Sequence, residues 1–135
     1  MKRVVLVAIS LVALAMAFSA AAKPALKDNP TITNGLIAVG IALEIGEKCE
    51  DMSPRMLKGM AFLNDLKKTA RREGYSDKEI DAFVDNKSEK KRLEAQARAY
   101  LASKGANGGD RATYCKVGEA EIAAGSQAGR LIRKH

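Results

Sequence analysis

Cys49 and Cys115 are the only two thiols among 135 residues, and no other side chains in the chain are better suited to covalent chemistry. Redox-active pairs favour the close Cys-x-x-Cys spacing; these two stand far apart, so a structural disulfide is the expected product of their oxidation. Such a bridge closes a loop of about 66 residues, for which chain entropy alone gives about 4 kcal/mol. Met52, Met56 and Met60 follow Cys49, and thioethers with a thiolate suit Cu(I). Ser53-Pro54, however, reads as a helix start lying between Met52 and Met56. The three sulfurs then share no face, Met56 and Met60 read as core fillers, and no metal site is expected.

General acid–base chemistry has little to work with. The single histidine is His135, the last residue, and chain termini seldom hold a side chain in fixed geometry. Glu119 with Glu121, and Asp77 with Asp81, sit amid lysines, the pattern of a solvated helix face rather than of an acid–base dyad. No Gly-x-Ser-x-Gly elbow, phosphate loop or His-Glu-x-x-His occurs. The chain therefore reads as a non-enzyme with no catalytic residues and no cofactor.

The net charge is +7, and cations cluster twice, at Lys67, Lys68, Arg71 and Arg72 and at Lys87, Lys90, Lys91 and Arg92. Glu89 and Glu94 break up the second field and no aromatic residues interleave it, so nucleic acid is not the expected partner. The simple reading is a solvated helix face. The functional alternative is a basic interaction surface, attracted to anionic headgroups or to an acidic protein.

The elements that must position these residues begin with an export signal. Lys2 and Arg3 precede an apolar run over residues 4–18, and Ala20-Ala21-Ala22 supplies small residues just before Lys23-Pro24. The run is shorter than the roughly 20 residues that span a bilayer, so residues 1–22 read as a cleaved signal peptide rather than an anchor. A periplasmic or secreted location follows, one in which a disulfide persists.

Residues 23–33 carry two prolines and few large apolar groups, and are expected to form an extended arm. Residues 34–135 then form one all-α domain, a small bundle of four to five helices with one disulfide; no period-two alternation suggests a strand. The first helix, over 34–48, is apolar all round and should be central. Its Ala38, Ala42 and Gly46 make a narrow face. The second runs from Ser53 to about Glu73, with Met56, Leu57, Met60, Leu63 and Leu66 as its apolar stripe. Ser76 and Glu79 form a capping box for the third, with Tyr75 and Ile80 as its staple. Asn86 or Ser88 starts the fourth, which Gly105 ends. Asp110 caps the fifth, and a short final turn follows. Cys49 at the end of the first helix and Cys115 near the start of the fifth imply an antiparallel pair, with Gly46 and Gly118 allowing close approach one turn from the bridge.

The segments Asn34-Gly35-Leu36-Ile37-Ala38-Val39-Gly40-Ile41-Ala42, Phe62-Leu63-Asn64-Asp65-Leu66, Gly74-Tyr75-Ser76-Asp77, Tyr100-Leu101-Ala102-Ser103-Lys104-Gly105, Tyr114-Cys115-Lys116-Val117-Gly118 and Gly125-Ser126-Gln127 resemble those of a family of small exported alphaproteobacterial proteins, domain of unknown function 5333. The resemblance implies a helical exported domain without an established activity, and it assigns no catalytic residues. Members are often encoded among genes for the respiratory NADH–quinone oxidoreductase, which implies a link to that membrane complex. The expected function is thus a non-enzymatic periplasmic interaction protein with a protein partner, associated with a membrane or an accessory to a membrane respiratory complex. The alternative is a periplasmic stress- or acid-responsive chaperone, which the architecture resembles without any shared motif.

Overall fold

The computed structural model describes residues 22–135. The expected signal peptide, all but its last alanine, lies outside the described residues. Helical structure starts earlier than the apolar periodicity suggests, because Asn29-Pro30 is itself a start signal. The Asn29 side chain accepts from the backbone N–H of Thr31 and Ile32 at 3.0 and 3.2 Å, and Pro30 occupies the first helical position. Helix α1 therefore spans Pro30–Lys48, and residues 30–33 belong to it.

The expected extended arm is thus replaced by structure. A 3-10 turn, Leu26–Asp28, precedes α1 and buries Leu26. The Tyr75 hydroxyl donates to the Pro24 carbonyl at 2.5 Å, Asn29 Nδ2 donates to the Glu73 carboxylate at 2.5 Å, and Lys23 Nζ lies 3.1 Å from Glu79. These bonds hold the segment against the corner between the second and third helices.

The remaining elements are β1 Met52–Pro54, α2 Met56–Arg72, α3 Asp77–Val84, α4 Lys87–Ser103, α5 Arg111–Ala124, α6 Gln127–Arg130 and β2 Ile132–Lys134. Ser53-Pro54 does not start a helix, contrary to the sequence expectation. It lies in β1, which pairs antiparallel with β2 in the register Met52↔Lys134, Ser53↔Arg133, Pro54↔Ile132. Helix α2 begins after Arg55, whose side chain makes no cap hydrogen bond. The small sheet escapes sequence reading because each strand has three residues, too few for a period-two pattern.

Three start signals hold as read. Ser76 and Glu79 form the reciprocal capping box of α3, Asn86 caps α4 and Asp110 caps α5. Tyr75 and Ile80 are both buried in one apolar cluster with Leu26, Ile32 and Ala70. Gly125, at φ +61°, takes the left-handed conformation that ends α5 and lets α6 turn back.

Helix α1 is central, packing against α2, α4, α5, α6 and β1. The main core gathers Ile41, Ile45, Met52, Leu101, Val117, Leu131 and Ile132 with several alanines. Cys49 and Cys115 form the disulfide, with Cα atoms 5.1 Å apart. The antiparallel course of α1 and α5 is visible from both sides of the bridge. One turn inward, a Cβ on Gly118 would lie 3.0 Å from Ile45, and one turn outward, Arg111 Nε donates to the Lys48 carbonyl at 2.9 Å. Gly118 therefore permits close approach as expected. Gly46 does not serve α5: a side chain there would overlap the Pro54 ring of β1.

Candidate interaction surface

The eight cations expected to form a basic surface are mostly engaged with their own neighbours. Arg71 Nε lies 2.7 Å from Asp77, Lys67 lies 3.5 Å from Asp81 and Lys68 lies 3.5 Å from Asp65. Arg72 Nη2 donates to the Thr69 hydroxyl at 2.8 Å. On α4, Arg92 lies 2.7 Å from Glu89 and also donates to the Lys27 carbonyl, and Lys90 lies 4.0 Å from Glu94. Only Lys87 and Lys91 have no ion pair or hydrogen bond among the described residues. The hydrogen bond from Arg71, with the charge of Lys67 adding to it, holds the Asp77 carboxyl below its ordinary range. Arg71 and Lys67 thus tie α2 to α3, while Lys68 and Arg72 engage their own helix.

A different surface stands out, and it corrects the reading of α2. Met56 and Met60 were expected as core fillers, yet Met56, Leu57 and Met60 are 63, 84 and 59 % exposed, and Ala70 is the only buried residue of the helix. The reason is geometric. At 100° per residue, apolar side chains of α2 cover a wide arc, from Phe62 through Leu66, Ala70, Leu63, Met56 and Met60 to Leu57. The body of the protein covers the part of that arc around Phe62, Leu66 and Ala70. Gly35 of α1 receives Leu66, whose methyls would lie 2.7 Å from any Cβ there. The other half of the arc is uncovered.

The uncovered arc of α2 adjoins a partly covered stripe of α1. Leu36, Val39 and Leu43 are spaced by three and four along α1, and Leu43 is 49 % exposed. Helix α1 is apolar all round, but its neighbours close around it on one side only at this point. Three shallow recesses result. One of about 130 Å³ lies between Leu43, Pro54, Met56 and Met60. One of about 230 Å³ lies between Leu36, Val39, Val84 and Leu93. One of about 280 Å³ lies between Leu36, Leu63, Ile80 and Phe83. They share walls: Val39 and Leu43 line the first two, Leu36, Phe83 and Val84 the last two, and Leu63 the first and third. Together they form one apolar trough, floored by α1 and walled by α2 on one side and by α3 and α4 on the other.

The trough's interior is apolar. Its polar margin consists of Arg55, Asn64, Lys67, Asp81, Lys90 and Glu94. What it can do is bury apolar surface of another molecule. Fully burying a Leu or Met side chain is worth about 1.5–3 kcal/mol, and several such side chains are available here. Methionine adapts its shape to what it meets, so Met56 and Met60 suit a contact rather than a rigid core.

The sequence-level metal idea finds no geometry. The Cys49 sulfur is bonded to Cys115, Met52 is buried in the core, and Met56 and Met60 line the trough. Among the described residues no group of three or more His, Cys, Asp or Glu could hold a metal ion.

One buried carboxylate remains. Glu121 on α5 accepts from the Tyr100 hydroxyl of α4 at 2.6 Å and from the Ser126 hydroxyl at the start of α6. Ser126 in turn accepts from the Gly129 N–H and caps α6. The hydrogen bond to Glu121, with burial added, pushes the Tyr100 hydroxyl up to about 12. A phenol held so firmly protonated is no base at neutral pH. The trio ties three helices together, and sequence reading missed it because Glu121, two positions after Glu119, reads as one more surface carboxylate.

Among the described residues no helix is long and apolar enough to cross a membrane. A family model, described as a family of unknown function (DUF5333), matches residues 24–133. No curated protein and no solved structure matches the chain.

Proposed function

We propose that this chain, which belongs to the DUF5333 family, is a non-enzymatic interaction protein that docks on a protein partner through the trough between α1, α2 and α3–α4. The observation that carries this reading is the set of large apolar side chains left in solvent around one connected depression: Leu43, Met56, Met60, Leu63 and Val84. Contiguous apolar surface of this kind is a signature of contact sites. The basic clusters take a lesser part, since most of their charge is neutralised within the fold.

The protein acts after export, in a periplasmic or otherwise oxidising compartment; the reading is supported by the charged and apolar pattern of residues 1–22 and by the disulfide. The family resemblance makes a membrane respiratory complex the first partner to test, with the protein as its accessory. Tagged wild-type protein and a Leu43→Glu/Met60→Glu variant are incubated with detergent-solubilised membranes. A membrane complex enriched by the wild type and lost with the variant supports the proposal. Equal recovery on both would remove the trough from it, and no enrichment over an unrelated exported control would remove the accessory role.

The second reading, a stress chaperone, is favoured by the same adaptable Met56 and Met60 side chains. It predicts suppression of client aggregation at low pH by the wild type and not by the variant.

A further inference from the structure

The surface of α2 carries a template for its own occupant. Met56, Met60, Leu63, Lys67 and Arg71 follow one another at spacings of four, three, four and four, so they lie along one face of the helix. The C-terminal half of that face carries the two cations, Lys67 and Arg71, that pair with α3. This short helix, Asp77–Val84, turns Ile80 and Phe83 toward the apolar cluster and sets Asp77 and Asp81 against Arg71 and Lys67. It is an amphipathic helix whose flanks are acidic. The N-terminal half of the same face, at Met56, Met60 and Leu63, is exposed and has no such partner helix among the described residues.

The charges at that open end match the template. Arg55 lines the recess beside Met56 and has no ion pair among the described residues. Helix α2 has no acidic residue in its first turn and no side-chain cap, so its positive end is uncompensated. On the opposite wall, Lys90 is paired only with Glu94, at 4.0 Å. The floor is a single helix, α1, bounded by two walls, which is the form of a groove that receives one amphipathic helix.

We infer that the trough receives one amphipathic α-helix of a partner, with acidic residues flanking an apolar stripe, seated on the N-terminal half of α2 as α3 pairs with its C-terminal half. This rests on the reading of the trough as a docking surface and adds the chemistry of what docks. The partner's apolar side chains enter between Leu43, Met56, Met60 and Leu63, and its carboxylates meet Arg55 and the start of α2.

The test uses the full mature chain, disulfide intact. The probe is a lactam-stapled helical peptide with leucines at i, i+3, i+4 and i+7 and glutamates on its flanks; its counterpart carries lysines there. Fluorescence anisotropy is read for the wild type and for Met60→Glu and Arg55→Glu, both exposed positions, with near-UV circular dichroism as the check on folding. The acidic peptide is expected to bind about tenfold or more tightly than the basic one, to lose about tenfold or more with Met60→Glu, and to lose less, with reduced salt dependence, with Arg55→Glu. Equal binding of the two peptides, or binding that Met60→Glu leaves unchanged, overturns the inference. So does adsorption to phosphatidylglycerol-containing vesicles without peptide binding, which makes the occupant a membrane. A dimer in sedimentation that Met60→Glu abolishes makes it a second copy of the chain, and also overturns the inference. Failure of the peptide while Leu43→Glu/Met60→Glu still abolishes partner capture refutes the acidic helix and leaves the docking surface standing.

Discussion

Removing the disulfide should cost this protein much of its stability without touching the proposed docking trough. The bridge joins residues separated by 66 positions. Loop-closure entropy at that length corresponds to about 4 kcal/mol of destabilisation of the unfolded chain. A domain of this size has about 5–15 kcal/mol of stability in all, so the bridge supplies a large fraction. The clean perturbation is the double variant Cys49→Ala/Cys115→Ala, because serine at Cys49 would place a hydroxyl at a position that is 1 % exposed. Urea unfolding followed by far-UV circular dichroism should show a loss of about 3–4 kcal/mol, with the smaller figure allowing for strain released from the native state. The m-value should rise, because the unlinked unfolded chain exposes more surface. Neither cysteine lines the trough, so partner capture below the unfolding transition should persist. A loss below about 1 kcal/mol with an unchanged m-value would refute the reasoning, as it would show that the bridge does not constrain the unfolded chain. Loss of capture with stability retained would point to a redox role instead.

Other perturbations read separate parts of the fold. Gly129→Ala would press a methyl into the Glu121 carbonyl, where backbone rather than a flexible side chain must yield, and should cost about 3 kcal/mol in urea melts; Gly59→Ala, with nothing within 4 Å of the new methyl, should stabilise by up to about 1 kcal/mol. Tyr100→Phe removes a donor from the buried Glu121 and should cost about 1–3 kcal/mol by the same assay. Since the folded-state pKa of Tyr100 is raised, its contribution is present below pH 10 and fades as pH rises toward about 12, so wild type and Tyr100→Phe should converge in stability there. Asp77 and Glu79 have carboxyls held below their ordinary values of 3.8 and 4.5, by Arg71 and by the Ser76 backbone with Lys23 respectively. Their stabilisation is present above those values and is lost as pH falls through the lower folded ones, so amide exchange should quicken at α3 below about pH 4 before it does at α4; uniform exchange across the helices would contradict this.

The helix starts show which parts of this fold are legible from residues alone. Ser76 with Glu79, Asn86 and Asp110 act on backbone groups two or three positions away, so their geometry is complete within one turn. The central place of α1 follows in the same way from a run that is apolar on every side. Asn29-Pro30 carries an equally local signal, set ahead of the apolar run that otherwise marks the helix. Ser53-Pro54 is the contrary case: a correct local start signal overridden by pairing with residues 132–134 at the other end of the chain. The trio at Glu121 is likewise assembled from three helices, and nothing in the neighbourhood of Glu121 in sequence marks it.

The candidate site divides along the same line. Composition and pattern by themselves established a mostly helical domain, the caps of α3, α4 and α5, the pairing of Cys49 with Cys115 and the apolar arc of α2, because each depends on residue type, on the number of thiols or on contacts within a turn or two. Which half of that arc would be buried, and therefore that Met56 and Met60 belong to a surface rather than a core, was decided by tertiary structure alone. Burial of a helix face depends on where other helices run, and α3 stops at Val84, short of covering the N-terminal half of α2. The same packing pairs Lys67 and Arg71 of α2 with Asp81 and Asp77 of α3, a partnership between separate helices that charge spacing along the chain does not reveal.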